Sequence, residues 1–69
     1  MNWTSGVAGT KNTPALDSEC GNYRVADCRS IRKKKPFRLI SFIHESDDGS
    51  PMFWDFTSEQ EAKDYAEMI

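Results

Sequence analysis

The sequence predicts an α+β domain: a small antiparallel β-sheet of three to four strands with one C-terminal α-helix packed on one face. Three observations carry this. Residues 37–44 hold Phe37, Leu39, Ile40, Phe42 and Ile43, and residues 51–56 place Met52, Trp54 and Phe56 at every second position, as strands do. Asp48-Gly49 lies between the two stretches, and this pair accepts the positive φ of a tight reversal. After residue 57 the spacing changes, with Ala62, Tyr65, Ala66 and Ile69 at the i, i+3, i+4, i+7 positions of a buried helical stripe.

The 69 residues suit a single domain spanning 1–69. A chain this short buries only about 60% of its unfolded surface, which leaves a small core and little room for a deep cleft. Trp3 is expected to fold back as a lid on that core, because it buries much area on its own. Residues 5–19, rich in Ser, Gly, Thr, Asn and Pro, read as loop, poorly ordered in part, with room for a short edge strand. Cys20-Gly21-Asn22 reads as a turn. Tyr23 and Val25 alternate with Arg24, so 23–29 reads as a half-buried strand.

Residues 30–36 form a basic connector closed by Pro36, which has no ladder donor. In 37–44 apolar groups fall on both faces, the mark of a central strand. Residues 45–50 are the hairpin loop, and 51–56 return with Phe53 and Asp55 on the face opposite Trp54. The helix is expected to start with Thr57 as N-cap and Gln60 completing a capping box. Glu59 and Glu61 suit its first turn, Glu59 and Lys63 form a favourable i, i+4 pair, and its stripe should lie on the Trp54 side of the sheet.

Charge is divided along the chain. Residues 1–44 carry eight Lys and Arg against three Asp and Glu, net +5, whereas 45–69 carry Lys63 against eight acids, net −7. Opposed fields of this kind favour binding over chemistry. The acidic set Asp47, Asp48, Glu59, Glu61, Asp64 and Glu67 is the candidate partner-binding surface, a negative patch able to imitate a phosphate backbone and occupy a basic nucleic-acid-binding groove. The basic set Arg29, Arg32, Lys33, Lys34, Lys35 and Arg38 is the alternative, a phosphate-contacting surface for direct nucleic-acid binding. Within it, Arg38 can also pair across strands with Asp55.

Catalytic and metal sites find little material. Cys20, Cys28 and His44 are the nitrogen and sulfur ligands available, and they lack the paired close spacing of structural zinc sites. His44, beside Glu45, has Cys28 as its one conceivable nucleophile. The acidic pairs 47/48 and 59/61 fall in an exposed turn and on a helix surface, where nothing splits their pKa values. No glycine-rich phosphate loop joins a strand to a helix. The chain therefore reads as non-enzymatic, with no cofactor and no metal. The longest apolar stretch, 39–43, is far short of the roughly 20 residues of a membrane span. The N-terminus lacks the pattern of a signal peptide. The cytoplasm is the expected compartment, with Cys20 and Cys28 as free thiols.

Trp3, the segment Cys20-Gly21-Asn22-Tyr23-Arg24-Val25, and the ending Phe56-Thr57-Ser58-Glu59-Gln60-Glu61-Ala62-Lys63-Asp64-Tyr65-Ala66-Glu67 resemble small phage- and prophage-encoded proteins; residues 5–19 stay unmatched. The resemblance implies a viral origin, a compact sheet-plus-helix fold and action by attachment to a host machine. In size, class and charge layout the chain is similar to anti-CRISPR proteins, which commonly block nucleic-acid-binding surfaces with acidic residues. The resulting expectation is a monomer or small homo-oligomer that binds a host protein or ribonucleoprotein complex handling nucleic acid, in the host cytoplasm, without a membrane.

Overall fold

Five strands precede the helix in the structure, a computed structural model that describes residues 1–8 and 13–69, with Ala8 as backbone alone. They are β1 (Trp3–Ala8), β2 (Thr13–Ser18), β3 (Tyr23–Asp27), β4 (Phe37–Glu45) and β5 (Pro51–Phe56), followed by α1 (Glu59–Met68). The strands pair in chain order as one antiparallel meander. The class is α+β with a C-terminal helix on an antiparallel sheet, but the sheet has five strands rather than three or four.

The additional strands come from the stretch read as loop. β1 and β2 pair over six positions, from Trp3 opposite Ser18 to Ala8 opposite Thr13. Small and polar side chains suffice here because the main-chain ladder, not side-chain burial, holds this margin of the sheet. The expectation of disorder within 5–19 falls partly on 9–12, outside the described residues. Trp3 folds back onto the core as expected, but as part of a strand. It opens β1 and packs half-buried against the core. Gly6 leaves room in β1 for the Asp17 carboxylate, which Arg24 holds; a Cβ there would lie 2.8 Å from it and would have to displace it.

β3 ends at Asp27, two residues earlier than its pattern suggested. The Asp27 carboxylate accepts from the Arg29 amide, and the Ile31 and Arg32 amides donate to the Cys28 carbonyl. These bonds turn the chain before a longer ladder can form. The Asp48-Gly49 reversal forms as its chemistry requires. Gly49 has φ +83°, and Asp48 accepts from the Ser46 hydroxyl and the Ser50 amide.

The helix is capped by Ser58, not Thr57. The Ser58 hydroxyl accepts from the Glu61 amide and donates to the Glu61 carboxylate, to which Thr57 also donates. The capping contact is therefore Ser58 with Glu61, one residue later than Thr57 with Gln60, and the Glu61 carboxylate takes the two hydroxyls rather than the Ser58 amide.

The core lies between α1 and one face of the sheet. Tyr23, Val25, Phe37, Leu39, Ala62 and Ala66 are buried together, and Trp3, Leu16, Trp54, Phe56 and Tyr65 rim them. Register explains the grouping: Leu16 faces Val25, Val25 faces Leu39, and Leu39 faces Trp54. Ala62 and Ala66 are small enough for α1 to sit close over this row. Tyr65 reaches the Trp54 ring, with centroids 5.2 Å apart.

The opposite face is uncovered among the described residues. Alternation puts Asp17, Arg24, Ile40 and Phe53 in one row there, beside a row of Ala15, Ala26, Arg38 and Asp55. β4 is an interior strand, fourth of five rather than central, yet Phe42, Ile43 and Phe53 remain about half exposed, at 49%, 55% and 52%. A bulge between Ser41 and Glu45, set against Met52 and Pro51, pushes Phe42 and Ile43 outward.

Candidate functional site

A meander sends successive loops to alternate ends of the sheet. Loop 28–36 lies at the end where α1 begins; loop 46–50 lies at the end where α1 finishes. Two contacts fix the direction of the helix. Tyr23, which sits opposite Ser41 near loop 46–50, donates from its hydroxyl to the Ile69 carbonyl. At the other end Glu59 lines a cleft of about 170 Å³ with Asp27 and Phe37.

The basic set is placed entirely at the first end, but its members divide by chemistry. Arg29 pairs with Asp27 at 2.7 Å and stands over the Phe37 ring. Arg38 pairs across strands with Asp55 at 2.9 Å, as its register suggested, and Arg32 reaches the same carboxylate at 3.0 Å. Arg38 also lies 4.1 Å over the Phe53 ring. Burial pushes the Asp55 carboxyl up, but hydrogen bonds from Arg38 and Arg32 outweigh it and hold the pKa below the ordinary value. Asp27 is likewise held low, chiefly by the hydrogen bonds of Arg29. Arg29 and Arg32 thus tie the loop to the sheet, while Arg38 joins β4 to β5 at the same carboxylate that Arg32 reaches. Lys33, Lys34 and Lys35 are exposed and have no ion-pair partner among the described residues.

The acidic set is split between both ends. Asp47 and Asp48 sit in loop 46–50, Glu59 and Glu61 in the first turn of α1 at the opposite end, and Asp64 and Glu67 further along the helix. Several are held in internal contacts. The Ser46 hydroxyl, with the Ser50 amide, lowers the Asp48 pKa to about 2. Glu59 pairs with Lys63 at 2.9 Å. Gln60 donates to Asp64, and the Met1 amine to Glu67. One grouping survives. Gln60, Glu61, Asp64, Glu67 and Met68 are all exposed and share the arc of α1 turned away from Ala62 and Ala66. That arc carries three carboxylates and no Lys or Arg, with the Met1 amine against Glu67 at its C-terminal end.

The remaining candidates are dispersed. Cys28 lies opposite Pro36, its amide bonded to the Pro36 carbonyl, while His44 lies at the far end of β4, roughly 25 Å away at strand rise. His44 instead shares a 2.7 Å hydrogen bond with the Ser41 hydroxyl and meets the Trp54 ring edge-on. Ser41 is fully buried, so the pair serves packing. Cys20 and Cys28 are free and lie at opposite ends of β3. A hydrogen bond with Ser18, aided by the Asn22 backbone, lowers the Cys20 pKa. Among the described residues no group of three or more His, Cys, Asp or Glu is placed to hold a metal ion.

Sequence reasoning missed the exposed apolar group Phe42, Ile43 and Phe53. The signal was present as apolar residues on both faces of β4, which reads equally as a covered central strand. No family model, curated protein or solved structure matches this chain. No helix among the described residues is long and apolar enough to cross a membrane.

Proposed function

We propose that this protein acts by binding, as an inhibitor of the anti-CRISPR kind. Its acidic helix face would occupy the basic nucleic-acid groove of a host complex. The observation that supports this reading is the solvent arc of α1, where Glu61, Asp64 and Glu67 are exposed and, among the described residues, meet no Lys or Arg, the Met1 amine at Glu67 being the one cation in contact. The arc is rigidly mounted, because Ala62 and Ala66 fix the helix on the sheet. Asp47 and Asp48 extend the negative field beyond the C-terminal end of α1, where the helix dipole is also negative. A partner that normally holds a polyanion would meet three carboxylates along about 9 Å of helix axis. Anchoring falls to that arc, and the phage resemblance supplies the class of partner.

A mobility-shift competition tests it. Wild type should displace guide or target nucleic acid from a purified effector complex, and displacement should weaken as salt screens the exposed charges. E61K/D64K/E67K should lose the effect with its circular dichroism unchanged, and undiminished competition by that variant would reject the reading.

The second reading, direct nucleic-acid binding by the basic loop, is favoured by the unpaired Lys33, Lys34 and Lys35. It predicts a gel shift of free DNA or RNA that disappears on replacing those lysines, with no dependence on the helix acids.

A further inference from the structure

We infer that the uncovered face of the sheet is the seat of a second copy of this chain, packed face to face with strands antiparallel about a two-fold axis. The inference does not rest on the proposed inhibitory function, because the acidic helix arc lies on the other side of the sheet and stays free.

Apolar exposure and charge placement together select the occupant. Phe42 and Phe53 are each about half exposed, and the half-buried Ile40 lies opposite Phe53 in register and two residues before Phe42 on β4. Ile40 is also the midpoint of the charged axis: Lys35 precedes it by five residues and Glu45 follows it by five. A two-fold axis through Ile40, in the plane of the interface and perpendicular to the strands, therefore brings the lysine loop of each copy over Glu45 and Asp47 of the other. The match occurs twice, as an isologous contact requires. An axis parallel to the strands would stack lysines on lysines. Reversed packing is also compatible with the roughly 30° offset of aligned sheets.

A nucleic-acid strand fits this face less well. Arg24 and Arg38 are already paired with Asp17 and Asp55, and a phosphate chain following β4 would run into Glu45 and Asp47. The available area sets the strength. Five strands about 4.8 Å apart and about six residues long give roughly 500 Å² per copy, about 1,000 Å² in all, the low end for a specific interface. The dimer is thus expected to be weak, dynamic and sensitive to salt.

Sedimentation equilibrium of the full chain, from about 10 μM to 1 mM, tests this. In low salt the apparent mass should rise toward that of two chains, and the dissociation constant should weaken tenfold or more between about 50 and 500 mM salt. F42S/F53S alters half-exposed positions and should keep its circular dichroism while remaining monomeric. K33E/K34E/K35E alone and E45K/D47K alone should each be monomeric, and mixing them should restore a heterodimer, because both ends again carry opposite charges. A wild-type monomer at 1 mM, a dimer that persists in F42S/F53S, or a mixture that fails to pair would each overturn the inference. So would a wild-type monomer whose face binds single-stranded oligo(dT), with binding lost in F42S/F53S, since that assigns the face to nucleic acid.

Discussion

Replacing Leu39 with Ala in one variant and Ile40 with Ala in another tests which face of β4 carries the fold. Leu39 is fully buried, between Val25 and Trp54 in register and in the same cluster as Ala62 and Ala66. Three carbons are lost in Leu39→Ala, worth about 2.4 kcal/mol at about 0.8 kcal/mol per buried methylene. The alanines above are too short to fill the gap, and strand register holds its side walls. A cavity cost then brings the total to about 3–5 kcal/mol. The 69 residues set a total stability of about 3.5–10 kcal/mol, so this substitution removes a third of it or more.

Ile40 is half-buried on the open face, and losing half the same transfer energy costs only about 1.2 kcal/mol. Urea titration followed by Trp fluorescence reads both. With a slope near 1 kcal/mol/M, the midpoint should fall by about 3 M or more for Leu39→Ala and about 1 M for Ile40→Ala. Equal shifts, or a larger one for Ile40→Ala, would refute the register, since a slip of one residue exchanges the two faces.

Two further perturbations probe the charged groups. Asp55→Asn leaves Arg32 and Arg38 without their shared counter-charge. Their side chains are 31% and 34% exposed and can still reach water, so the cost, discounted for screening, is about 1–2 kcal/mol. It should appear in urea titration and as faster amide exchange in loop 28–36; unchanged exchange there would contradict the tether. The carboxyls of Asp27, Asp48 and Asp55 are all held below their ordinary values in the folded state. Groups depressed in this way contribute stability that is present above the unfolded carboxyl pKa of about 3.9 and lost as pH falls through the folded values. For Asp48 that loss extends down to about 2. Tm should therefore be level near pH 6 and fall between about pH 5 and 2, less steeply in Asp48→Asn; a Tm independent of pH over that range would refute the pairings.

The parts of the fold legible in the sequence are those whose information is local. β4, β5 and the helix stripe declare themselves through large apolar residues at fixed spacing, and Asp48-Gly49 through the conformation it tolerates. Lys63 pairs with Glu59 because the helix period places it there. β1 and β2 carry little such signal. Their strand character comes from ladder bonds to partners that only the assembled sheet supplies, and from the Asp17–Arg24 ion pair between β2 and β3. The cap was misplaced by one residue because Thr57 and Ser58 are both competent hydroxyls. The structure uses Ser58, whose hydroxyl accepts from the Glu61 amide. The Arg38–Asp55 contact was legible from strand alternation, whereas Arg32 enters it only because loop 28–36 folds back. The acidic residues looked like one patch because they are close in sequence, and helix length and strand reversal divide them.

The same reversals give the charge its use. One strand, β4, separates the lysine loop from the acidic loop, so the two blocks must lie at opposite ends of the sheet, roughly 25 Å or more apart at strand rise. That is about three Debye lengths at physiological salt, where the blocks exert almost no attraction on each other. The chain cannot neutralise itself across that distance, and the Arg–Asp pairs at Asp27 and Asp55 show that where neutralisation is possible the fold performs it. The lysines at one end and Glu45, Asp47 and Asp48 at the other are therefore left as outward fields. A ligand of uniform charge can satisfy only one of them. A ligand with matching polarity, running opposite to β4, satisfies both, and an inverted copy of the chain has that polarity by construction.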